Sequence, residues 1–235
     1  MSFLGFFYMM DMTWWILTAV LAIPSLIAVA RVKMMFARYS KVGVRSGLAG
    51  AEAAAAILHA AGVSGVTIEP HQGMLSDHYD PRTKALRLSP EVYAGRSVSS
   101  VAIAAHEAGH AIQDATGYAP LRLRSAMVPL TMIGSNIWWL PFALGAAVGA
   151  TGLMKVGIFL FAAVVLFQLV TLPTEFNASS RARAVLASSG IVTTVEEERG
   201  VAKVLNAAAM TYVAAALAAV VQLLYLILRV SSSRD

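Results

Sequence analysis

Four long apolar stretches dominate the pattern of hydrophobic and polar positions along the chain. A helix needs about 20 mostly apolar residues to cross the hydrocarbon core of a bilayer, and each stretch has roughly that length. They cover approximately residues 12–30, 126–150, 153–172 and 207–228. We therefore expect about four transmembrane helices, and hence an integral membrane protein.

The segment 31–125, between the first two apolar stretches, mixes helical and strand-like patterns. Its first part, SGLAGAEAAAAILHAAGV, is typical of an alanine-rich helix that ends near Gly62. Alternation and β-branched residues predict two short strands, and turn-forming residues separate them. The strands are VTIEP and ALRLS, and the turn is DHYDPRTK. These elements predict a small α+β domain outside the membrane.

A second helix is predicted at the end of this segment, over SVSSVAIAAHEAGHAIQDATG. Ser97 or Ser99 is suited to cap its N-terminus, and Gly117 is suited to end it. The apolar run 98–113 within it is only about 16 residues long and is bounded by charged residues, so it is too short for a span. The helix is therefore expected in the soluble part of the protein.

The segment 173–206 follows the third apolar stretch. Pro173 is expected to end the third span, because proline removes a backbone hydrogen bond within a helix. TEFNASSRARAVLASSG then predicts a separate helix. Thr193 and Glu196 have the spacing of a capping box for a long last helix. No linker or internal repeat divides the chain, so one folded unit is expected. The first turn of the last helix is expected to be solvated, with Glu196, Glu197 and Glu198.

The basic residues indicate which side of the membrane each segment occupies. Of the 18 Lys and Arg, 15 lie in 31–125 and 173–206. By the positive-inside rule both segments face the cytoplasm, and both termini then lie outside. Arg229 and Arg234 argue against that position of the C-terminus. The first stretch is preceded by Asp11 rather than by basic residues, which favours an uncleaved anchor over a signal peptide.

Composition narrows the classes of function. With 58% hydrophobic and 13% charged residues, the chain is too apolar for an ordinary soluble domain. The basic residues border the apolar stretches and form no stripe with interleaved aromatics, so no nucleic-acid partner is expected. There is no cysteine. Any metal must therefore be held by histidine and carboxylate ligands.

The second predicted helix contains the motif H-E-x-x-H, formed by His106, Glu107 and His110. The two histidines are four residues apart, so both imidazoles lie on one helix face and can bind one zinc ion. Glu107 can then accept a proton from a water whose pKa zinc lowers to about 7, as that water attacks a carbonyl. The alternative is an ordinary helix that contains two histidines. Small neighbours favour the site because they permit close packing: Ala104, Ala105, Ala108, Gly109 and Ala111.

A catalytic zinc site usually has three protein ligands and one water, so a third ligand is expected. His59 and His71 are typical of a solvated helix position and a turn, whereas His78 could enter the cleft. Glu175 is the stronger candidate, because the hairpin of spans two and three returns it to the face of the membrane where the motif helix lies. The alternative role for Glu175 is a carboxylate that favours a helix dipole.

The strand ALRLS, the last before the motif helix, is expected to hold an extended peptide substrate through backbone hydrogen bonds at a free edge. Leu86 and Leu88 should then face the core, and Arg87 should face solvent. An internal strand without a free edge is the alternative. Arg183 could stabilise an oxyanion, although a basic collar at the membrane surface also explains it.

HEAGHAIQ, two apolar stretches and then LPTEFNASSRA resemble the YugP-type family of bacterial membrane zinc peptidases across nearly the whole chain. The layout is more distantly similar to HtpX-type and CAAX-prenyl endopeptidases. The resemblance implies a gluzincin-like catalytic domain on the cytoplasmic side of the bacterial inner membrane. It also implies one Zn²⁺ per chain, with Glu107 as the base and three ligands: His106, His110 and Glu175.

One position departs from the HtpX-like pattern. There the ligand glutamate is followed four residues later by aspartate, whereas this chain has Ser179. A carboxylate that orients a zinc-bound histidine is therefore missing from that position. Asn177 or Ser179 could take its place by hydrogen bonding.

The sequence thus predicts a membrane-anchored zinc endopeptidase that cleaves membrane or membrane-proximal proteins. A site-2-type intramembrane protease is an alternative that requires the motif inside a span, and an inactive scaffold or chaperone-like protein is another. The expected partners are a protein or peptide substrate and the lipid bilayer. A membrane-protein partner or a homo-oligomer also fits the sequence.

Overall fold

The computed structural model describes residues 12–232, so Asp11 and Arg234 lie outside the described residues. It consists of helices and one three-stranded sheet. The elements are α1 (Met12–Tyr39), α2 (Gly50–Ala60), β1 (Thr67–Pro70), β2 (His78–Asp80), β3 (Ala85–Leu88), α3 (Pro90–Tyr93), α4 (Val98–Ala115), α5 (Ala119–Ile137), α6 (Trp139–Ala147), α7 (Thr151–Ser188) and α8 (Val195–Ser232).

The chain divides into two compact units, although the sequence predicted one folded unit. The first comprises Leu123–Leu172 together with the described parts of Met1–Ile27 and Thr211–Asp235. The second comprises Ala28–Arg122 and Pro173–Met210. Each unit has its own hydrophobic core. The division falls inside long helices, close to the ends of the predicted apolar stretches.

The first unit is built from apolar helices. Four helical stretches are long and apolar enough to cross a membrane, which agrees with the predicted number of spans. Large side chains such as Leu26, Phe159 and Leu228 are exposed on them, as expected of surfaces that face lipid rather than water. The second of these stretches, predicted at 126–150, is divided between α5 and α6 at Trp138.

Helix α7 contradicts the prediction that Pro173 ends the third span. The helix runs without a break from Thr151 to Ser188, with Pro173 inside it. An interior proline costs a helix one hydrogen bond, but apolar helices tolerate this where neighbouring groups satisfy the freed carbonyl. Glu175 therefore lies in the middle of a helix, so the alternative of a carboxylate at a helix N-terminus is wrong.

The sheet of the second unit has the strand order β1-β3-β2. β3 pairs in parallel with β1 and antiparallel with β2, so both of its edges are occupied. The expected free edge at Leu86, Arg87 and Leu88 is therefore wrong, because the residues 78–80, predicted as part of a turn, form an additional strand. Leu86 and Leu88 are fully buried and Arg87 is partly exposed, as predicted.

Helix α4 has the predicted bounds. Ser97 is its N-cap and accepts a hydrogen bond from the Ser100 N–H. Gly117 adopts a φ of +65° just after the helix, a conformation that glycine adopts without strain. Of its 18 residues, 14 are buried, so the helix runs through the core of the second unit.

The start of α8 differs from its prediction by one residue. The capping box is formed by Thr194 and Glu197, whose side chains each accept a hydrogen bond from the other's backbone N–H. Glu197 also accepts a hydrogen bond from the Arg45 backbone N–H and is only 3% exposed. The expected solvated turn is thus wrong for Glu197, whose carboxylate caps backbone N–H groups of the preceding turn and of Arg45. Glu196 and Glu198 are exposed.

Candidate metal centre

Three predicted ligands meet in the second unit. His106, His110 and Glu175 each offer one ligand atom, and these atoms all lie within 4.8 Å of one another. His106 and His110 are one turn apart on α4, and their rings stand nearly perpendicular, at 83°. Glu175 comes from α7 and is only 2% exposed. A carboxylate buried to this degree requires charged or hydrogen-bonding partners.

The distances fit a zinc ion bound to these three residues. Tetrahedral ligands at 2.0–2.2 Å from zinc lie about 3.4 Å from one another. Glu175 Oε2 is 3.1 Å from His106 Nε2 and 3.6 Å from His110 Nε2. The donors are two imidazole nitrogens and one carboxylate oxygen, a set typical of catalytic zinc sites. The described residues therefore supply a suitable site for Zn²⁺.

The other ring nitrogen of each histidine also has a partner. His106 Nδ1 lies 3.1 Å from the Ser179 hydroxyl, and His110 Nδ1 lies 3.0 Å from Gln113 Oε1. Such contacts orient the imidazoles so that both Nε2 atoms face Glu175. Ser179, four residues after Glu175, is thus in direct contact with a predicted ligand. This is the substitution by hydrogen bonding that the sequence allowed.

Glu107 is buried next to the ligand cluster, with 8% of its surface exposed. Within residues 12–232 its carboxylate accepts no hydrogen bond, so it is available to accept a proton. Burial lowers the pKa of His110, but contact with Glu175 and the negative charge of Glu107 outweigh burial and raise that pKa overall. The cluster is therefore an environment that attracts a cation.

A second, partly buried carboxylate lies within electrostatic reach of Glu107. Asp77 accepts hydrogen bonds from the backbone N–H and the hydroxyl of Ser89, which ties the start of β2 to the end of β3. Burial raises the pKa of Asp77, the two hydrogen bonds from Ser89 oppose this, and the charge of Glu107 raises it further. The sheet thus holds the Asp77 carboxylate close enough to Glu107 for their charges to interact.

Close packing holds α4 and α7 together at the site. A side chain added at Gly109 would place its Cβ 2.6 Å from the backbone oxygen of Ala178, which is shorter than atoms in contact tolerate. Ala178 and Ala182 are fully buried on the facing side of α7. The small residues of the motif helix therefore allow the close approach that the sequence predicted.

The remaining predicted site residues lie in several places. His78 is part of β2, contacts the Ser76 carbonyl through Nδ1, and stacks edge-on against His71. Arg87 forms ion pairs with Asp80 and Glu69 on the neighbouring strands. Leu86 and Leu88 belong to the core. Arg183 is exposed and lines a cavity of about 420 Å³ together with Glu198, Ser180 and Val201.

Arg183 therefore has no described contact with the three ligands, within the part of the chain that the structure covers. Asn177 does contribute, but indirectly. Its side-chain oxygen accepts hydrogen bonds from Gln113 Nε2 at 3.0 Å and from Arg181 Nε at 2.8 Å. Asn177 thus acts on His110 through Gln113.

Sequence reasoning missed Gln113, Asp77 and the connecting role of Arg181. Gln113 lies three residues after His110, so helical spacing alone places it beside that ligand. This signal was present in HEAGHAIQ. Asp77 carries no such signal, because its contacts depend on β2, which was not predicted. Arg181 lies four residues after Asn177 on the helix predicted over TEFNASSRARAVLASSG, so helical spacing places the two side chains together.

Residues 14–231 match the family described as "Putative neutral zinc metallopeptidase". The chain belongs to this family. It is also 47% identical over 205 residues to the "Putative membrane protease YugP" of Bacillus subtilis (strain 168). That alignment covers 87% of this chain and 91% of the relative. No solved structure matches the chain.

Proposed function

We propose that this protein is a membrane-anchored, zinc-dependent endopeptidase with a gluzincin-like site. The observation that carries the proposal is the meeting of His106, His110 and Glu175 with a buried carboxylate, Glu107, on the same helix as two of the ligands. Membership of a zinc metallopeptidase family supports it. One ion per chain is expected, since the described residues provide one such cluster.

Each residue has a distinct task in peptide hydrolysis. When bound, zinc polarises a carbonyl and makes a water more acidic. Glu107 accepts the proton of the attacking water and can donate it to the departing amine. His106, His110 and Glu175 hold the cation, while Ser179 and Gln113 orient the imidazoles. The low exposure of the site excludes bulk water, which strengthens these electrostatic interactions.

The substrate is proposed to be a membrane or membrane-proximal protein. Along α7, Glu175 follows directly on the apolar stretch 153–172, so the site lies close in sequence to a candidate span. β2 is an edge strand of the described sheet, and Tyr79 on it donates a hydrogen bond to Asp114 at the end of α4. We propose that an extended substrate pairs with β2, near His78, by backbone hydrogen bonds.

A cross-linking experiment tests this substrate strand. A photoreactive residue at position 78, on β2, should capture a peptide-like inhibitor. The same residue at position 69, on the opposite edge strand β1, should not. Capture only at position 69 would place the substrate on the wrong side of the sheet for this proposal.

The active site is proposed to face the cytoplasm from the bacterial inner membrane, following the distribution of basic residues. Reporter fusions at Ala60 and Gly190 should both be cytoplasmic, and one at Gly152 should be external. An external signal at Gly190 would contradict this topology.

The enzymatic activity itself is tested with the purified full chain and a Glu107→Gln variant. The wild type should contain zinc and cleave membrane proteins, whereas the variant should retain zinc, lose cleavage and trap substrates. Glu196→Gln, which removes an exposed carboxylate, is the matched control and should behave as the wild type. A wild type that binds zinc without cleaving any membrane protein would favour the inactive scaffold.

A further inference from the structure

Gln113 is completely buried and is hydrogen-bonded at both ends of its amide. Its Oε1 faces His110 Nδ1 at 3.0 Å. Its Nε2 is 2.8 Å from the backbone oxygen of Thr174 and 3.0 Å from the side-chain oxygen of Asn177. The residue has 0% exposure, so water cannot replace any of these contacts. A buried polar group with a complete set of partners has one preferred orientation.

Two independent contacts determine which end of the amide faces His110. The backbone carbonyl of Thr174 can only accept a hydrogen bond, so the NH₂ group of Gln113 must point towards it. Arg181 Nε can only donate, so the oxygen of Asn177 faces Arg181 and also receives the second N–H of Gln113. Both contacts direct the Gln113 oxygen to His110.

The tautomer of His110 follows from this orientation. An amide oxygen is an acceptor only, so Nδ1 of the neutral imidazole must carry the hydrogen. Nε2 then presents its lone pair on the side where Glu175 Oε2 lies 3.6 Å away. His106 is different, because the hydroxyl of Ser179 can either donate to Nδ1 or accept from it.

We propose that Gln113 is a positioning residue that fixes His110 in the Nδ1–H tautomer required for binding zinc through Nε2. The backbone carbonyl of Thr174, the residue immediately before the ligand Glu175, sets the orientation of Gln113. Helix α7, which supplies the predicted ligand Glu175, thereby also selects the tautomer of His110. The value of this arrangement for zinc binding rests on the proposed function.

A purely structural role for Gln113, joining α4 to α7, makes a different prediction. Gln113→Glu keeps an acceptor for His110 Nδ1–H but loses the N–H donors that join the helices. Gln113→Met has a similar length and keeps neither function. For a positioning role, the Glu variant should bind zinc within a few-fold of the wild type. The Met variant should lose affinity by roughly 10- to 100-fold, as is typical when a partner of a zinc-bound histidine is removed.

Zinc affinity is measured on the full-length chain in detergent by competition with a chromogenic chelator. Equal affinity of the Met variant and the wild type, or a loss in the Glu variant as large as in the Met variant, would overturn the proposal. A wild type that binds no zinc would instead contradict the proposed function.

A second measurement decides the inference even if a variant fails to fold. Histidine labelled with ¹⁵N reports the tautomer of each neutral imidazole, and His110→Ala assigns the signal. In the metal-free wild type at alkaline pH, His110 should be in the Nδ1–H form. The Nε2–H form would overturn the proposal whatever the result for zinc.

Discussion

Helices α4 and α7 supply the three predicted metal ligands but are embedded in the protein very differently. Of the 18 residues of α4, 14 are buried, and they include Glu107, His110 and Gln113. In the part of α7 that belongs to the second unit, burial is confined to a stripe at helical spacing. This stripe is Thr174, Glu175, Ala178, Ala182 and Leu186.

This difference in burial corresponds to a difference in the roles proposed for the two helices. α4 carries two of the predicted ligands and the proposed base within five residues, so their relative placement follows from helical geometry. α7 contributes one ligand, and its other contacts orient what α4 provides, through Ser179, Asn177 and the Thr174 carbonyl. Loss of the proposed base Glu107 on α4 should therefore affect the reaction alone, whereas changes in α7 should affect zinc binding.

The largest expected effect comes from Glu107→Gln, which changes α4 without changing a ligand. Turnover should fall by about 100-fold or more, because the variant cannot accept the proton of the attacking water. Zinc content and thermal stability should stay at wild-type values. Metal analysis, a cleavage assay and thermal unfolding measure the three quantities. Loss of zinc together with activity would show that Glu107 belongs to the metal shell.

Glu175→Ala changes the ligand of α7 and should reduce zinc affinity by at least about tenfold, the order expected when a contact to the metal is lost. Chelator competition measures it. Glu196→Ala, at an exposed position of α8, is the control and should have no effect. If zinc content is unchanged in Glu175→Ala, then α7 does not supply the third ligand.

The pH dependence of zinc binding should reflect the surroundings of His110. Its pKa is raised above the ordinary 6.5 despite burial, by contact with Glu175 and by the charge of Glu107. Protons therefore compete with zinc at a higher pH than for an ordinary histidine. As the pH is lowered, the apparent zinc affinity should fall by up to about tenfold per pH unit for each proton displaced. This fall should begin at a pH above 6.5. In Glu175→Gln the affinity should begin to fall at a lower pH, because the contact that raises the pKa of His110 is lost. If the affinity begins to fall at the same pH as in the wild type, Glu175 on α7 does not raise the pKa of His110.

The smallest expected effect is that of Gly109→Ala, which alters the crossing of the two helices without removing a functional group. The added methyl group meets the Ala178 carbonyl, so the helices must move apart. Such overpacking costs about 1–3 kcal/mol of stability and should weaken zinc binding several-fold. Gly152→Ala on α7, where no atom lies within 4 Å of the added carbon, is the control. If the two variants have the same unfolding temperature and the same zinc affinity, Gly109 is not required for the close packing of α4 against α7.

The same contrast explains what the sequence could predict. The bounds of α4, its cap at Ser97 and its ligand pair follow from local spacing and capping chemistry, and the structure agrees with them. The continuity of α7 through Pro173 could not be predicted, because the cost of an interior proline depends on neighbours that are distant in sequence. Glu175 was nevertheless placed correctly near the histidines, since the hairpin argument needs only the number of spans.

The sheet was predicted less well for a related reason. VTIEP and ALRLS have enough β-branched and alternating residues to indicate strands. β2 consists of only three residues, His78–Asp80, and forms because it pairs with β3. Because β2 lies at the edge of the sheet and β3 at its centre, β2 and not β3 can pair with an extended substrate. Gln113 could have been predicted from its spacing to His110, whereas Asp77 could not.

The central claim is that two histidines of α4 and one carboxylate of α7 bind a single zinc ion. X-ray absorption at the zinc edge of the purified full-length protein tests it most directly. We expect one zinc per chain with two imidazole nitrogens and the remaining ligands oxygen, at distances of about 2.0–2.2 Å. In Glu175→Ala, one protein oxygen should be lost and both imidazoles retained. One imidazole, three imidazoles or an unchanged spectrum in that variant would contradict the account.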